Sequence, residues 1–81
     1  MEIEEPKVWE RYRHFKGEDK IYEVIAVARD CNNPEEKSVI YRNLYETEEI
    51  PFGTIWFRSL EDFCSYTELN GKKVKRFTLI K

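Results

Sequence analysis

The sequence predicts a small all-β domain, and three observations carry this prediction. Short runs rich in β-branched and aromatic residues alternate with turn-forming clusters along most of the 81 residues. Two Trp, five Tyr and five Phe side chains supply much of the apolar area that one core could bury. The dipeptide Asn70-Gly71 offers the two positive-φ residues that a tight hairpin turn requires. A chain of this length has room for a single domain, which we assign to residues 11–81.

Residues 1–10 form an acidic lead in front of this domain. The lead carries four Glu against one Lys, and its proline disfavours regular structure, so we expect its tip to be mobile. Val8 and Trp9 are the side chains expected to hold its second half against the domain.

The first four predicted strands are short runs bounded by turn-forming residues: 12–15, 21–29, 38–45 and 54–58. The second run contains alanines that would also suit a helix. Its β-branched residues, and the short distance between Gly17 and the Asn32-Asn33-Pro34 cluster, favour a strand. Both faces of the third run are largely apolar, as in the bent strands of a small barrel that serve two sheets.

The C-terminal part predicts one helical turn and one hairpin. Ser59 is suited to cap a helix, Glu61 and Asp62 to occupy its first turn, and Phe63 to be its buried anchor. Residues 66–69 and 72–80 flank the Asn-Gly turn. This order predicts a small SH3-like barrel or roll of about five to six strands, with the helical turn before the hairpin. The competing architecture is an open α+β sheet, which would require residues 8–12 or 21–29 to be helical.

An ordered series of sequence blocks resembles a known family. The blocks are Tyr-Arg-His-Phe-Lys-Gly at 12–17, Tyr22-Glu23-Val24 with Ala28-Arg29, Val-Ile-Tyr-Arg-Asn-Leu-Tyr at 39–45, Trp56-Phe57-Arg58 with Phe63, and Arg76-Phe77. The series is similar to that of small, mostly bacterial domains of unknown function with an SH3-type barrel fold, marked by a Tyr-Arg-His-Tyr/Phe-Lys-Gly opening. Ser59, where a proline is common, and the longer acidic loop at 46–50 depart from that pattern. The resemblance implies an architecture for residues 12–80 and no activity, because the family has none established.

Arginines and aromatic residues interleave along adjacent predicted strands, which indicates a candidate binding surface. A guanidinium can hold a carboxylate or phosphate by two parallel hydrogen bonds while rings stack on a neighbouring group. The opposing interpretation is that the arginines cover aromatic faces and pair with acidic neighbours on a solvated exterior. The candidate residues are Tyr12, Arg13, His14, Tyr22, Tyr41, Arg42, Trp56 and Arg58. They predict a non-catalytic module that grips an extended peptide, an unidentified protein or a small anionic group.

The C-terminal third is basic, although the whole chain has a formal charge of -2 and a pI of about 5.5. Proteins that bind long duplexes are strongly basic, so that class is disfavoured. The alternative function is contact with single-stranded RNA or a nucleotide through Tyr66, Lys72, Lys73, Lys75 and Arg76 of the predicted hairpin. The simpler interpretation of these lysines is that they protect a strand edge and add solubility.

Catalysis and metal binding have little support in the sequence. Cys31, Cys64 and the single histidine, His14, are too few for a four-ligand zinc site, so we expect free thiols and no metal or cofactor. His14 and either cysteine could form a thiol and base pair, but nothing in the sequence places them together. A domain of this size has little room to enclose a substrate, and we therefore expect no enzyme.

The apolar runs are much shorter than the roughly 20 residues that a membrane span needs, and the N-terminus lacks a basic start. We accordingly expect a cytoplasmic protein that does not bind membranes. A homodimer formed through an uncovered strand edge is compatible with each of the functional hypotheses.

Overall fold

The computed structural model describes residues 4–81, and it contains seven strands and one helical turn. The strands are β1 (Arg11–His14), β2 (Ile21–Asp30), β3 (Asn33–Asn43), β4 (Ile55–Ser59), β5 (Tyr66–Leu69), β6 (Lys72–Lys75) and β7 (Phe77–Leu79). The helical turn α1 (Leu60–Phe63) follows β4 directly. The predicted all-β class, the strand at 21–29 and the helical turn before the hairpin are confirmed.

The strands form two antiparallel sheets. Five strands pair in the order β4-β3-β2-β1-β7, and β5 pairs with β6 in a separate sheet. Within the described residues the larger sheet is open, with β4 and β7 at its edges, so strand pairing does not close the predicted barrel. The SH3-type barrel therefore stays an expectation. The expected mobile tip of the N-terminal lead falls on residues 1–3, which lie outside the described part of the chain.

One face of the five-stranded sheet carries the core, and we call it the inner face. Residues that pair across antiparallel strands share a face. Tyr12 is opposite Tyr22, and Tyr41 is opposite both Val24 and Trp56, so all five belong to the inner face. The core cluster on this face comprises Val24, Val39, Tyr41, Phe63 and Phe77. The opposite surface of the sheet is the outer face.

α1 carries Phe63, whose ring covers one side of the core. The Oγ of Ser59 accepts a hydrogen bond from the N–H of Asp62 at 3.1 Å, which caps the turn as predicted. The ring of Phe63 then stacks on Phe77 with centroids 4.2 Å apart, and it meets Tyr12 edge-on at 5.2 Å. Burial of such a ring stabilises the fold by roughly 1.5–3 kcal/mol. The prediction of Phe63 as a buried anchor is confirmed.

The turn expected from the Asn32-Asn33-Pro34 cluster lies at residues 31–32, and β3 begins at Asn33 and ends at Asn43 rather than spanning the predicted 38–45. The N–H of Asn32 donates to Oδ1 of Asp30 at 2.8 Å, and Arg29 Nη1 donates to the carbonyl of Pro34 at 2.9 Å. The β2–β3 register shifts at this point, and Pro34 lies in the irregular stretch. A proline is tolerated there because no ladder position needs its missing N–H.

The Asn70-Gly71 turn is confirmed, since both residues have positive φ values of 52° and 79°. The predicted final strand at 72–80 is wrong in one respect, because it breaks at Arg76 into β6 and β7. The N–H of Arg76 donates to the carbonyl of Ser65 at 3.0 Å, while Phe77 pairs with His14. The break moves the chain from one sheet to the other and accounts for a seventh strand.

The described part of the N-terminal lead is attached by backbone hydrogen bonds, by the buried Pro6 and by an ion pair between Glu5 and Lys37 at 2.9 Å. The N–H of Trp9 donates to the carbonyl of Val24 at 2.8 Å, and the carbonyl of Glu10 accepts from the N–H of Val24 at 2.9 Å. The side chains of Val8 and Trp9 are exposed, so they do not provide the anchoring expected of them.

Candidate functional site

Strand alternation divides the candidate binding residues between the two faces of the sheet. Arg13 is opposite Ile21, and Arg42 is opposite Glu23 and Ile55, all on the outer face. The inner face carries the remaining candidates, which are Tyr12, His14, Tyr22, Tyr41, Trp56 and Arg58. The structure therefore does not bring the whole predicted set to one surface.

The outer-face arginines have structural partners. Glu23 is buried, and its carboxylate accepts hydrogen bonds from Arg42 at 2.7 and 3.0 Å and from Arg11 at 3.3 Å. The hydrogen bonds from Arg42, reinforced by Arg11, hold the pKa of Glu23 below its usual value despite the opposing effect of burial. Arg13 is exposed and donates to the carbonyl of Glu18 at 3.4 Å. Arg42 is thus committed to neutralising a buried carboxylate.

Packed rings form the floor of the inner face. Tyr22 meets Tyr41, Tyr45 and Phe77 edge-on, with centroids 5.3, 5.5 and 5.7 Å away. The hydroxyls of Tyr22 and Tyr45 are hydrogen-bonded to each other. Burial, followed by this hydrogen bond, raises the pKa of Tyr22 far above its usual value, so its hydroxyl stays protonated. The rings provide a rigid apolar base with a few polar tips.

Arg58 lies on this floor. Its guanidinium carbon is 5.6 Å from the ring centroid of Phe77, and its Nε donates to the hydroxyl of Tyr41 at 3.3 Å. Its Nη1 donates to Oδ2 of Asp62 at 2.7 Å. Because the Ser59 cap fixes the start of α1, it also fixes Asp62 four residues after Arg58. In the described chain, Arg58 Nη2 makes no hydrogen bond to protein, so one edge of the guanidinium is free.

Arg76 approaches the same carboxylate from the corner between β6 and β7. Its Nε donates to Oγ of Ser65 at 3.1 Å and lies 3.8 Å from Oδ1 of Asp62. Its guanidinium carbon is 6.0 Å from the ring centroid of Phe15. Within residues 4–81 neither Nη of Arg76 is hydrogen-bonded to protein. Arg58 and Arg76 therefore share one carboxylate and retain free donors.

His14 completes this group. Its ring centroid lies 4.7 Å from that of Phe15 and 5.0 Å from that of Phe77, the two rings that carry the arginines. Burial is the main cause that lowers the pKa of His14 to about 4, and the charges of Arg58, Lys16 and Arg76 add to it. The imidazole is therefore neutral at pH 7. Because Nδ1 accepts the N–H of Lys16 at 3.2 Å, the proton resides on Nε2, which is a donor.

We call this group the arginine cluster, and it consists of His14, Phe15, Tyr22, Tyr41, Arg58, Asp62, Arg76 and Phe77. It contains two guanidinium charges and one carboxylate, so it keeps an excess positive charge beside rings and free N–H donors. Such an arrangement is suited to hold a carboxylate or phosphate.

The sequence pattern places Arg76 on the predicted hairpin surface and indicates neither Phe15 nor Asp62 as a binding residue. A signal for Asp62 was present, because it follows Arg58 by four residues across the predicted cap.

Tyr12 and Trp56 lie on the inner face but outside the arginine cluster. The hydroxyl of Tyr12 donates to Oε1 of Glu10 at 3.1 Å; burial, followed by this hydrogen bond, raises its pKa. Trp56 Nε1 donates to Oδ1 of Asn43 at 3.1 Å. Asn43 is fully buried and donates to the carbonyl of Pro51 at 3.0 Å, which ties the acidic loop to the sheet. Both aromatic residues therefore have supporting roles in the fold.

The hairpin β5–β6 presents the alternative surface. Lys73 Nζ is 5.0 Å from the ring centroid of Tyr66, and Lys75 is opposite Tyr66 in the strand register. Lys72 is opposite Leu69 and so lies on the other face of the hairpin. Arg76 turns away toward Ser65 and Asp62. The structure keeps Tyr66, Lys73 and Lys75 together and separates Lys72 and Arg76 from them.

A cleft of about 510 Å³ lies elsewhere on the inner face, between residues 4–10 and a wall that includes Tyr12 and Cys64. Its lining includes three glutamates and three lysines, so it has no excess of positive charge: Glu4, Glu5, Glu10, Lys7, Lys75 and Lys81. Cys64 Sγ donates to the carbonyl of Glu4 at 3.7 Å, and burial raises its pKa. Cys31 and Cys64 are both free thiols. Among residues 4–81, no group of three His, Cys, Asp or Glu residues is placed to hold a metal ion.

Comparison with known proteins adds one finding. Residues 10–79 match a family model described as "Protein of unknown function (DUF1653)". No curated protein and no solved structure matches the chain. The only helix of the described residues, α1, has four residues, and no described helix is long and apolar enough to cross a membrane.

Proposed function

We propose that this chain, which belongs to the family described as proteins of unknown function (DUF1653), is a non-catalytic binding module that holds an anionic group in the arginine cluster. The anion is a carboxylate or a phosphate, carried on an extended peptide or on a small molecule. One observation carries the proposal: Arg58 and Arg76 share the single carboxylate of Asp62. The site therefore has more positive than negative charge.

The proposed contacts follow from donors that have no partner within the described chain. Arg58 Nη2, the Nη groups of Arg76 and Nε2 of His14 supply N–H groups to oxygens of the ligand. The rings of Phe15 and Phe77 hold the two guanidiniums in place, so little side-chain freedom is lost on binding. A hydrogen bond to a charged group contributes about 1.5–3 kcal/mol, and we expect millimolar affinity for an isolated small anion.

The absence of catalysis is part of the same proposal. The Nδ1 atom of His14 already accepts a backbone N–H, and no carboxylate among the described residues orients its ring. Burial raises the pKa of Cys64 and so disfavours the thiolate. Cys64 is hydrogen-bonded to Glu4, whereas His14 contacts Phe15 and Phe77. Free thiols at Cys31 and Cys64 support a reducing compartment, and we propose that the module acts in the cytoplasm.

The test is an NMR titration that follows the side-chain N–H signals of arginine and histidine. Inorganic phosphate and a capped hexaglutamate peptide serve as separate probes. We expect shifts at Arg58 Nε, Arg76 Nε and His14 Nε2, and a loss of affinity of about tenfold or more in Arg58→Met. The matched control is Arg13→Met, since Arg13 is an exposed arginine on the outer face.

The two probes distinguish the source of the anion. Binding of phosphate alone assigns the site to a phosphoryl group, and tighter binding of the peptide assigns it to an acidic chain. Shifts confined to the outer face, or equal affinity in Arg58→Met and Arg13→Met, would contradict the proposal.

A second candidate function rests on the hairpin. Tyr66 is exposed, lies opposite Lys75 and has Lys73 Nζ 5.0 Å from its ring, an arrangement suited to stack a base and neutralise a phosphate, although Glu68 is opposite Lys73 on the same face. This surface predicts affinity for single-stranded oligouridine that falls steeply with salt. Tyr66→Ala should remove that affinity and leave phosphate binding by the arginine cluster unchanged. No binding of oligouridine at low ionic strength would eliminate this candidate.

A further inference from the structure

We propose that two copies of this chain pair through their β4 strands into a homodimer. β4 is an outer strand of the five-stranded sheet and is hydrogen-bonded on one side only, to β3. It presents Ile55 and Phe57 at 58% and 76% exposure, with Trp56 at 36% between them. An exposed apolar strand with unpaired backbone groups is a template for another strand. Ile55 and Phe57 lie on the outer face, away from the anion site, while Arg58 of the arginine cluster lies on the inner face of the same strand.

Hydrogen bonds on β3 identify which backbone groups are free at the edge. The N–H of Leu44 donates to the carbonyl of Ile21 at the end of β2. Along an antiparallel strand, successive residues direct their backbone groups to opposite neighbours. Tyr41, three positions before Leu44, therefore bonds toward β4, and its register partner Trp56 bonds back toward β3.

The backbone groups of the residues on either side of Trp56 consequently point away from β3. The N–H and C=O groups of Ile55 and Phe57 face the free edge of β4, as does the N–H of Ser59, whereas the carbonyl of Ser59 belongs to the cap of α1. No other strand among the described residues pairs with them. The edge thus offers a regular row of donors and acceptors, spaced at every second residue.

A two-fold axis at Phe57 makes this edge complementary to itself. Antiparallel pairing centred there sets Phe57 opposite the same residue of the second copy and Ile55 opposite Ser59. The two Phe57 residues then exchange two backbone hydrogen bonds, and the N–H of Ser59 in each copy donates to the carbonyl of Ile55 in the other. On the inner face, Trp56 of each copy is opposite Arg58 of the other, which gives two favourable contacts between a ring and a guanidinium. No pair in this register brings like charges together.

Charge favours β4 over β6 and β7 for contact between identical copies. The only charged side chain of β4 is Arg58, and Asp62 neutralises it at 2.7 Å. β7 has three residues and is preceded by Lys75 and Arg76, while β6 carries three lysines. A second copy repeats every charge, so lysine-rich edges repel each other.

The available apolar area sets the expected strength. An exposed aromatic side chain contributes on the order of 150 Å². The three apolar residues of β4 therefore fall well below the roughly 800 Å² per partner of a standard interface. The backbone hydrogen bonds must supply much of the affinity, and we expect a reversible dimer with a dissociation constant in the micromolar range.

Sedimentation velocity over a range of protein concentrations tests the proposal. The wild-type chain should shift from monomer to dimer as concentration rises. Phe57→Lys places two ammonium groups face to face on the axis and should raise the dissociation constant at least about tenfold. Phe52→Lys is the matched control, because Phe52 is also an exposed aromatic residue but lies outside any strand.

A charge exchange distinguishes loss of the dimer contact from misfolding of the variant. Mixing Phe57→Lys with Phe57→Glu should restore a dimer that neither variant forms alone. In the wild-type protein, the amides of Phe57 and Ser59 should exchange more slowly as concentration rises. A monomer at millimolar concentration, a dimer that survives in Phe57→Lys, or open-ended assembly would each overturn the proposal.

Discussion

The inner and outer faces of the five-stranded sheet both carry arginines paired with a carboxylate, but the pairs differ in burial and in role. Each face has one group of two arginines around one carboxylate, with Arg11 and Arg42 around Glu23 outside and Arg58 and Arg76 around Asp62 inside. The side chain of Glu23 is 8% exposed, whereas that of Asp62 is 46% exposed. Outside, the carboxylate is buried and needs both arginines. Inside, the arginines are held by rings, and the carboxylate is in contact with water.

This difference shows that charge composition does not determine the role of an ion pair. A buried charge must be neutralised, so its partners are part of the fold. A cation held over aromatic rings is fixed in position without full neutralisation, and it can still bind an anion. Burial of the carboxylate, rather than the number of arginines, separates a structural pair from a binding site.

The largest effect that tests this comparison is expected from Arg42→Met. The substitution leaves the buried carboxylate of Glu23 with Arg11 alone, at 3.3 Å. We expect the free energy of unfolding to fall by about 2–3 kcal/mol. The matched inner-face variant, Arg58→Met, should lose only about 1 kcal/mol, because Asp62 remains solvated. Urea unfolding at pH 7 measures both, and equal losses would remove the distinction between the faces.

The second, smaller effect is the change in stability with pH, to which His14 and Glu23 contribute in two separate pH ranges. The pKa of His14 is lowered from 6.5 to about 4 in the folded protein. Between these values the unfolded chain binds a proton that the folded chain does not, so stability falls as pH decreases from 6.5 to 4. Because the ring is partly exposed, we expect a loss on the order of 1 kcal/mol. His14→Gln should remove this loss when urea midpoints are compared at pH 7 and pH 5.

The pKa of Glu23 is also lowered, from 4.5, but its window is different. Its carboxylate stays ionised in the folded protein at pH values where the unfolded chain takes up a proton. Its contribution is therefore complete above pH 4.5 and decreases only as the solution becomes more acidic. His14→Gln should leave that acidic loss intact, and a variant that flattened both windows would show that the faces are coupled.

The smallest effect should come from Arg13→Ala. Arg13 lies on the outer face but contacts only the carbonyl of Glu18, at 3.4 Å. We expect a change below about 0.5 kcal/mol in the free energy of unfolding, and no change in phosphate affinity. A loss above about 1 kcal/mol would indicate that outer-face arginines stabilise the sheet without a carboxylate partner.

Local signals in the sequence were sufficient for most elements of the fold. Asn70-Gly71 specified its turn, Ser59 specified the start of α1, and the β-branched residues of the second run specified a strand. The corner at Arg76 could not be predicted in this way. It depends on the carbonyl of Ser65, which α1 brings close only in the folded chain.

The candidate site was partly predictable. Interleaving of rings and cations correctly selected the strands, but it grouped Arg42 with Tyr41 although adjacent strand residues point to opposite faces. Strict alternation would have separated them. The spacing of four residues indicated the pairing of Asp62 with Arg58, but the approach of Arg76 to the same carboxylate depends on how α1 and the corner converge, which the sequence does not reveal.

The corner at Arg76 has one more consequence. A single residue separates β6 from β7, so the hairpin joins the larger sheet at the residue that supplies one guanidinium of the arginine cluster. Any swing of the hairpin rotates the torsion angles that aim this guanidinium. A ligand bound to the arginine cluster would therefore reduce the motion of the hairpin. A spectroscopic label at the tip of the hairpin would detect that binding at a distance from the site.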